Sequence, residues 1–175
     1  MSRRRASLAG VAVAALAAVV VAVLLATGGG SGDDPRPVGP QAVAYARAWD
    51  TTCGALRTDA ARTARAVRGR LAAGTGTAAR RRIGRSLVAP YLGRTERRLE
   101  RIETAVPPAE WRAYHRAMLP RLRAARERTA AIRGRVRAGD PAAVGALRAA
   151  PADPGPDAPE DLRRRTPACA PGAAA

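Results

Sequence analysis

Few side chains in this sequence have the chemistry to work on a ligand or substrate. His115 is the only histidine, four residues after Trp111 and one after Tyr114, with Met118 a turn further on. An imidazole and a thioether together can hold copper or haem iron, but a lone histidine on a helix flank and a methionine on an apolar seam more often serve packing. Glu96, Glu100 and Glu103 offer carboxylates of the kind used in acid–base chemistry. They punctuate an arginine-rich stretch, however, where ion pairs such as Arg97 with Glu100 are ordinary. No G-x-S-x-G surrounds Ser86, and neither a phosphate-binding glycine loop nor H-E-x-x-H occurs. We therefore predict no catalytic, cofactor-binding or metal-binding residues and no cofactor, and rank an enzyme assembled from distant residues third among the functional readings.

Two other groups of residues stand out. Cys53 and Cys169 have no histidine or acidic cluster beside them at metal-ligand spacing. In an oxidising compartment they are expected to pair, tying the end of the chain to its first helix. Such a bond is worth about 4–5 kcal/mol by loop-closure entropy. An intermolecular bridge and two free thiols are the alternatives. Tyr45, Trp49, Trp111 and Tyr114 are four of the five aromatic residues. They are expected to form one end layer, favoured as core packing over a small ligand pocket. Arg112 and Arg116, beside that layer, are candidate contacts for an anionic head group.

The elements that position these residues read as helices. From Gln41 to about Ala73, Tyr45, Trp49, Cys53, Leu56, Ala60, Ala64, Val67 and Leu71 recur at three- and four-residue intervals, and Gly74-Thr75-Gly76-Thr77 forms a turn. A second helix spans about Ala78 to Ala105 with Ile83, Leu87, Tyr91, Leu99 and Ile102 on its face. Pro90 predicts a kink or break near Val88 to Pro90, and Val106-Pro107-Pro108 ends the helix. A third helix, about Ala109 to Ala138, carries Trp111, Tyr114, Met118, Leu122, Ala125, Thr129, Ile132 and Val136 in a heptad seam, with Pro120 a second kink site. Gly139 closes it, Asp140-Pro141 starts a short helix to about Ala149, and the remainder is irregular to a disordered end. Similar helix lengths and short turns predict an up-down-up bundle with the first and third helices parallel.

The long apolar run sets where this bundle sits. Ala6 to Thr27 holds no charge and follows Arg3-Arg4-Arg5. At 1.5 Å per residue its 22 residues reach about 33 Å, enough to span a hydrocarbon core of about 30 Å. It exceeds the apolar core of a cleaved signal peptide, so retention is favoured over cleavage after the weak Ala26-Thr27-Gly28 site; no lipoprotein cysteine follows, and the twin-arginine match is poor. The arginines before the run and Asp33-Asp34 after it put the N-terminus in the cytoplasm and the C-terminal domain outside. The fold class predicted is all-α, a single transmembrane helix followed by an extracytoplasmic three-helix bundle. Residues 1–5 form a basic cytoplasmic end, 6–27 a signal anchor and 28–40 a flexible linker. Residues 41–138 form the bundle, and 139–175 a short helix, a proline-rich tail and a disulfide-tethered terminus.

Charge narrows the partners. All 31 basic residues are arginine, with no lysine, which suits a GC-rich coding bias as well as selection for arginine. Beyond the apolar run, 28 arginines face all 14 acids, a net +14. In the cytoplasm this would point to nucleic acid, but the expected topology makes that partner unlikely and favours membrane lipid, an anionic envelope polymer or an envelope protein. The leading reading is a binding or scaffolding module of the cell envelope, followed by an electrostatic binder of anionic lipid or polymer.

The pattern Leu99-x-x-Ile102-x-x-x-Val106-Pro107-Pro108-Ala109-Glu110, followed by His115 and Met118-Leu119 and flanked by Cys53 and Cys169, resembles a loose group of small actinobacterial exported proteins. The resemblance covers most of residues 41 to 170. It implies a membrane-anchored or lipoprotein-like helical ectodomain of uncharacterised function and carries no catalytic residues. The lipid-attachment cysteine common in that group is missing here.

Overall fold

A computed structural model describes residues 39–74, 76–140, 142–143 and 156–170. Every regular element in those residues is helical. The apolar run 6–27 and most of the linker lie outside them, as do most of the short helix expected after Asp140 and the last five residues. Among the described residues, no helix is long and apolar enough to cross a membrane.

Helix α1, Pro40–Ala73, opens with proline at its first helical position, where the missing N–H costs no hydrogen bond. Pro40 thus belongs to the helix rather than to the linker. The buried stripe of α1 contains seven of the eight predicted seam residues, and Leu71 packs at its edge. At 1.5 Å per residue the helix is about 50 Å long, so the linker joins one end of the bundle and the Gly74 turn forms the other.

The second leg departs from expectation in an instructive way. It consists of α2, Thr77–Ile83, a π-helical turn Gly84–Val88, and α3, Ala89–Glu103, with no break between them. The Ala89 N–H reaches back five residues to the Gly84 carbonyl. Pro90 has no N–H, and its ring would crowd the Ser86 carbonyl in a regular turn. Widening the turn relieves that crowding, and the expected kink becomes one extra residue. The insertion rotates the apolar face, so Val88 is buried while Leu87 is only partly so. Gly84 sits where this turn touches the next helix, since a Cβ there would lie 3.3 Å from Val136 Cγ1.

A 3₁₀ turn, Ala109–Trp111, leads into α4, Arg112–Ala138, which stays α-helical through Pro120. Seven of its eight predicted seam residues are buried and Ala125 packs partly against the core. Gly139, at φ +85°, ends it in a left-handed cap, with Gly139 N–H bonded to Val136 O and Asp140 N–H to Arg135 O, both at 3.0 Å.

Two elements in the tail were not anticipated. Helix α5, Glu160–Arg165, has its acids in the first turn and its arginines in the last, which suits the helix dipole, and a 3₁₀ turn follows at Pro167–Cys169. Leu162 and Cys169 are buried in one core with Trp49, Cys53 and Met118. A second core, centred on Val67, Ile83, Leu92 and Ile132, fills the end remote from the linker.

Candidate functional site

The predicted aromatic layer forms. Tyr45 and Trp49 on α1 meet Trp111 and Tyr114 at the start of the third leg, with ring centroids 5.8 Å apart for Tyr45–Trp111 and 6.1 Å for Trp49–Tyr114. Two helix starts therefore share one end, as a parallel first and third leg requires. The four residues are at most 7% exposed. They fill one another's space, and the arrangement is a closed core rather than a ligand pocket. Tilted pairs of this kind contribute about 0.5–1.5 kcal/mol each beyond their burial.

His115 completes the layer in a way its spacing did not reveal. It is 5% exposed, and its Nδ1 lies 2.8 Å from the Tyr45 hydroxyl. Its ring also bonds to the backbone of Glu103, at the end of α3. His115 thus bridges the first and third legs through Tyr45. Burial lowers the His115 pKa, with the Glu103 bond opposing it, and burial pushes Tyr45 up to about 12. Trp49 Nε1 is buried without an acceptor in hydrogen-bond geometry. Met118, fully buried, fills the core below, and Arg112 and Arg116 are exposed on the outer face.

Cys53 and Cys169 are bonded, with Cα atoms 5.1 Å apart. The end of the chain is strapped along α1 by polar contacts on either side of that bond. Ala168 N–H donates to Asp50 Oδ1 at 2.7 Å, and Arg57 donates to the Ala170 carbonyl. Cys169 Sγ lies 3.6 Å from the Trp49 carbonyl. A disulfide sulfur has no hydrogen to give, so this is packing.

Three carboxylates, Asp59, Glu96 and Glu103, pair one helix with another. Asp59, 7% exposed, accepts from Arg98 at 2.6 Å and Arg94 at 2.9 Å, joining α1 to α3. Burial works to raise its pKa, but the two guanidinium groups outweigh it and hold the carboxyl below its usual value. The expected Arg97–Glu100 pairing is replaced by pairs to α4. Arg133 meets Glu96 at 3.0 Å, while Arg123 and Arg126 each meet Glu103 at 3.0 Å. Only Arg123 aligns as a hydrogen bond; Arg126 Nε and Glu103 Oε2 are close but poorly directed. A shallow groove of about 180 Å³ runs between α3 and α4 over Gly93, Glu96, Arg97 and Arg133. Its walls include the Glu96–Arg133 pair and Arg126, with Arg97, Glu100 and Glu127 beside them. Among the described residues, no three His, Cys, Asp or Glu side chains converge as a metal site.

Asp59 and His115 were missed as organising residues. Asp59 lies three residues after Leu56 and one before Ala60, on the apolar face, which is an unusual place for an unpaired acid. That position was the available signal.

Comparison with protein-family models, with curated proteins and with solved structures finds no match to this chain.

Proposed function

We propose that the chain is a single-pass envelope protein whose extracytoplasmic helical bundle is a binding or scaffolding module. The carrying observation is how its reactive groups are spent. The thiols are bonded, His115 is hydrogen-bonded to Tyr45 between legs, and the buried acid pairs with two arginines, while arginines line the exposed surface. That composition suits recognition by a rigid body. A disulfide that straps the tail agrees with an oxidising compartment. Val43 and Val106, the exposed large apolar side chains among the described residues, lie at the linker end, which suits an end turned toward lipid.

A second reading, electrostatic binding of an anionic envelope polymer or lipid, is favoured by the distribution of charge. Residues Ala60 to Thr95 contain no acid, and neither do Arg128 to Gly139. Crosslinking in intact cells, resolved under non-reducing conditions with partner identification, tests the first reading. Recovery of a discrete envelope protein supports it. Crosslinks confined to cytosolic proteins would contradict it. Loss of partner binding in high salt favours the electrostatic reading over a packed interface.

A further inference from the structure

We infer that the end of the bundle remote from the linker is a docking surface for a linear, phosphate-bearing polyanion outside the membrane, with Arg62, Arg65, Arg68, Arg70, Arg80 and Arg82 as its contacts. This rests on the electrostatic reading and gives it a location and a partner class.

The surface arises because two acid-free stretches meet. The last turns of α1, all of α2 and the final turns of α4 enclose one core, in which Val67, Ile83, Ile132 and Val136 pack together. The six arginines are exposed, and none of them forms an ion pair among the described residues. Arg81 and Arg85 have a different task. Arg85 Nε donates to the Arg137 carbonyl at 3.0 Å, and both side chains crowd Gly139, so they close the negative end of α4. Acids elsewhere pair with arginines near the middle of the bundle and along the tail. GC-rich coding explains arginine in place of lysine. It does not explain why residues 60–95 and 128–139 hold no aspartate or glutamate; Asp140, just past the end of α4, is committed to Arg135.

Three observations choose the partner. The surface begins about 33 Å along α1 from the linker and runs to its far end at about 50 Å, whereas a bilayer's surface potential decays over about 8 Å at physiological ionic strength. Among the described residues, no large apolar side chain is exposed there for insertion into lipid, since Val43 and Val106 are at the other end. Nor do those residues expose an aromatic ring there on which bases could stack, and the Cys53–Cys169 bond argues against a cytosolic nucleic acid. Guanidinium groups match phosphate oxygens in paired geometry, and several along two helix ends suit a repeating chain of phosphates.

The test uses the full chain in phosphatidylcholine nanodiscs with the disulfide intact, titrated with long-chain inorganic polyphosphate. Arg65→Gln, Arg68→Gln, Arg80→Gln and Arg82→Gln together should weaken binding by about tenfold or more and flatten the log–log salt dependence by about 0.7 for each arginine–phosphate pair removed. A matched variant at the linker half, Arg47→Gln, Arg101→Gln, Arg112→Gln and Arg116→Gln, should retain near-native affinity. Should the fourfold tip variant fold poorly, Arg65→Gln with Arg80→Gln poses the same question at smaller amplitude. Equal losses in both variants overturn the location while leaving the electrostatic reading intact, and no binding by the native chain overturns both. Tip-dependent binding to phosphatidylglycerol vesicles as strong as to polyphosphate, or stronger binding to duplex DNA, overturns the partner.

Discussion

The Tyr45 hydroxyl and His115 Nδ1 stand 2.8 Å apart across 70 residues of chain, a buried hydrogen bond between the first and third legs. Removing that hydroxyl leaves a buried ring nitrogen without its partner, so Tyr45→Phe should destabilise the bundle by about 1–2 kcal/mol. The histidine itself should appear in the pH dependence. Its folded pKa lies below the usual 6.5, so the unfolded chain binds more protons as pH falls below that value. Stability should be full above about pH 6.5 and decline below it as the folded pKa is approached. His115→Gln should remove that part of the slope, which urea unfolding at several pH values between about 4.5 and 8 will measure.

Asp59 should matter more than any exposed acid. Asp59→Asn leaves Arg98, which is largely buried, without its charge partner, while Arg94 can turn to solvent. The expected loss is about 2–3 kcal/mol, below the full value for a wholly buried pair. Because the Asp59 pKa is lowered on folding, its contribution is present above the usual 3.8 and is lost as pH falls through the folded value. The Asp59→Asn variant should lack this part of the acid limb in a thermal unfolding series.

Cys53→Ala with Cys169→Ala should cost about 4–5 kcal/mol by the loop-closure argument, since the bond closes a separation of 116 residues. Oxidised protein should therefore unfold at clearly higher denaturant concentration than protein unfolded in the presence of a reducing agent. Coincident curves would show that the strap of Asp50, Arg57 and the tail holds without the bond.

Gly139→Ala should destabilise by about 1–2 kcal/mol, because φ +85° places an L-residue in the left-handed region. The added Cβ would also lie 3.3 Å from the Arg85 guanidinium, a flexible group that can retreat. Gly69→Ala, on the exposed side of α1 with nothing within 4 Å, should instead be neutral or slightly stabilising. Thermal melts of the two variants side by side separate backbone strain from volume.

Much of this architecture was legible because long seams repeat. Trp111, Met118, Leu122 and Ile132 announce a buried face by spacing alone, and the disulfide followed from two cysteines in a compartment expected to be oxidising. The π-turn was not legible as such. Pro90 signals trouble, but a missing N–H and a crowded Ser86 carbonyl can be met by a kink or by a wide turn, and local spacing does not say which. Helix α5 was overlooked because six residues make too short a period to see, although Glu160-Asp161 before Arg163-Arg164-Arg165 marks a favourable dipole pattern. Asp59 and His115 depend on tertiary register, since their partners lie on other legs. The acid-free stretches were in plain view as sequence. Only the meeting of α1, α2 and α4 at one end makes them a single surface.

Every partner proposed for this bundle depends on its display outside the membrane by the run from Ala6 to Thr27. The direct measurement is protease treatment of intact spheroplasts expressing the full chain with tags at both termini. We expect the C-terminal tag to be lost without lysis while a membrane-bound fragment keeps the N-terminal tag. Survival of the C-terminal tag until the membrane is breached would contradict the topology and, with it, an envelope partner.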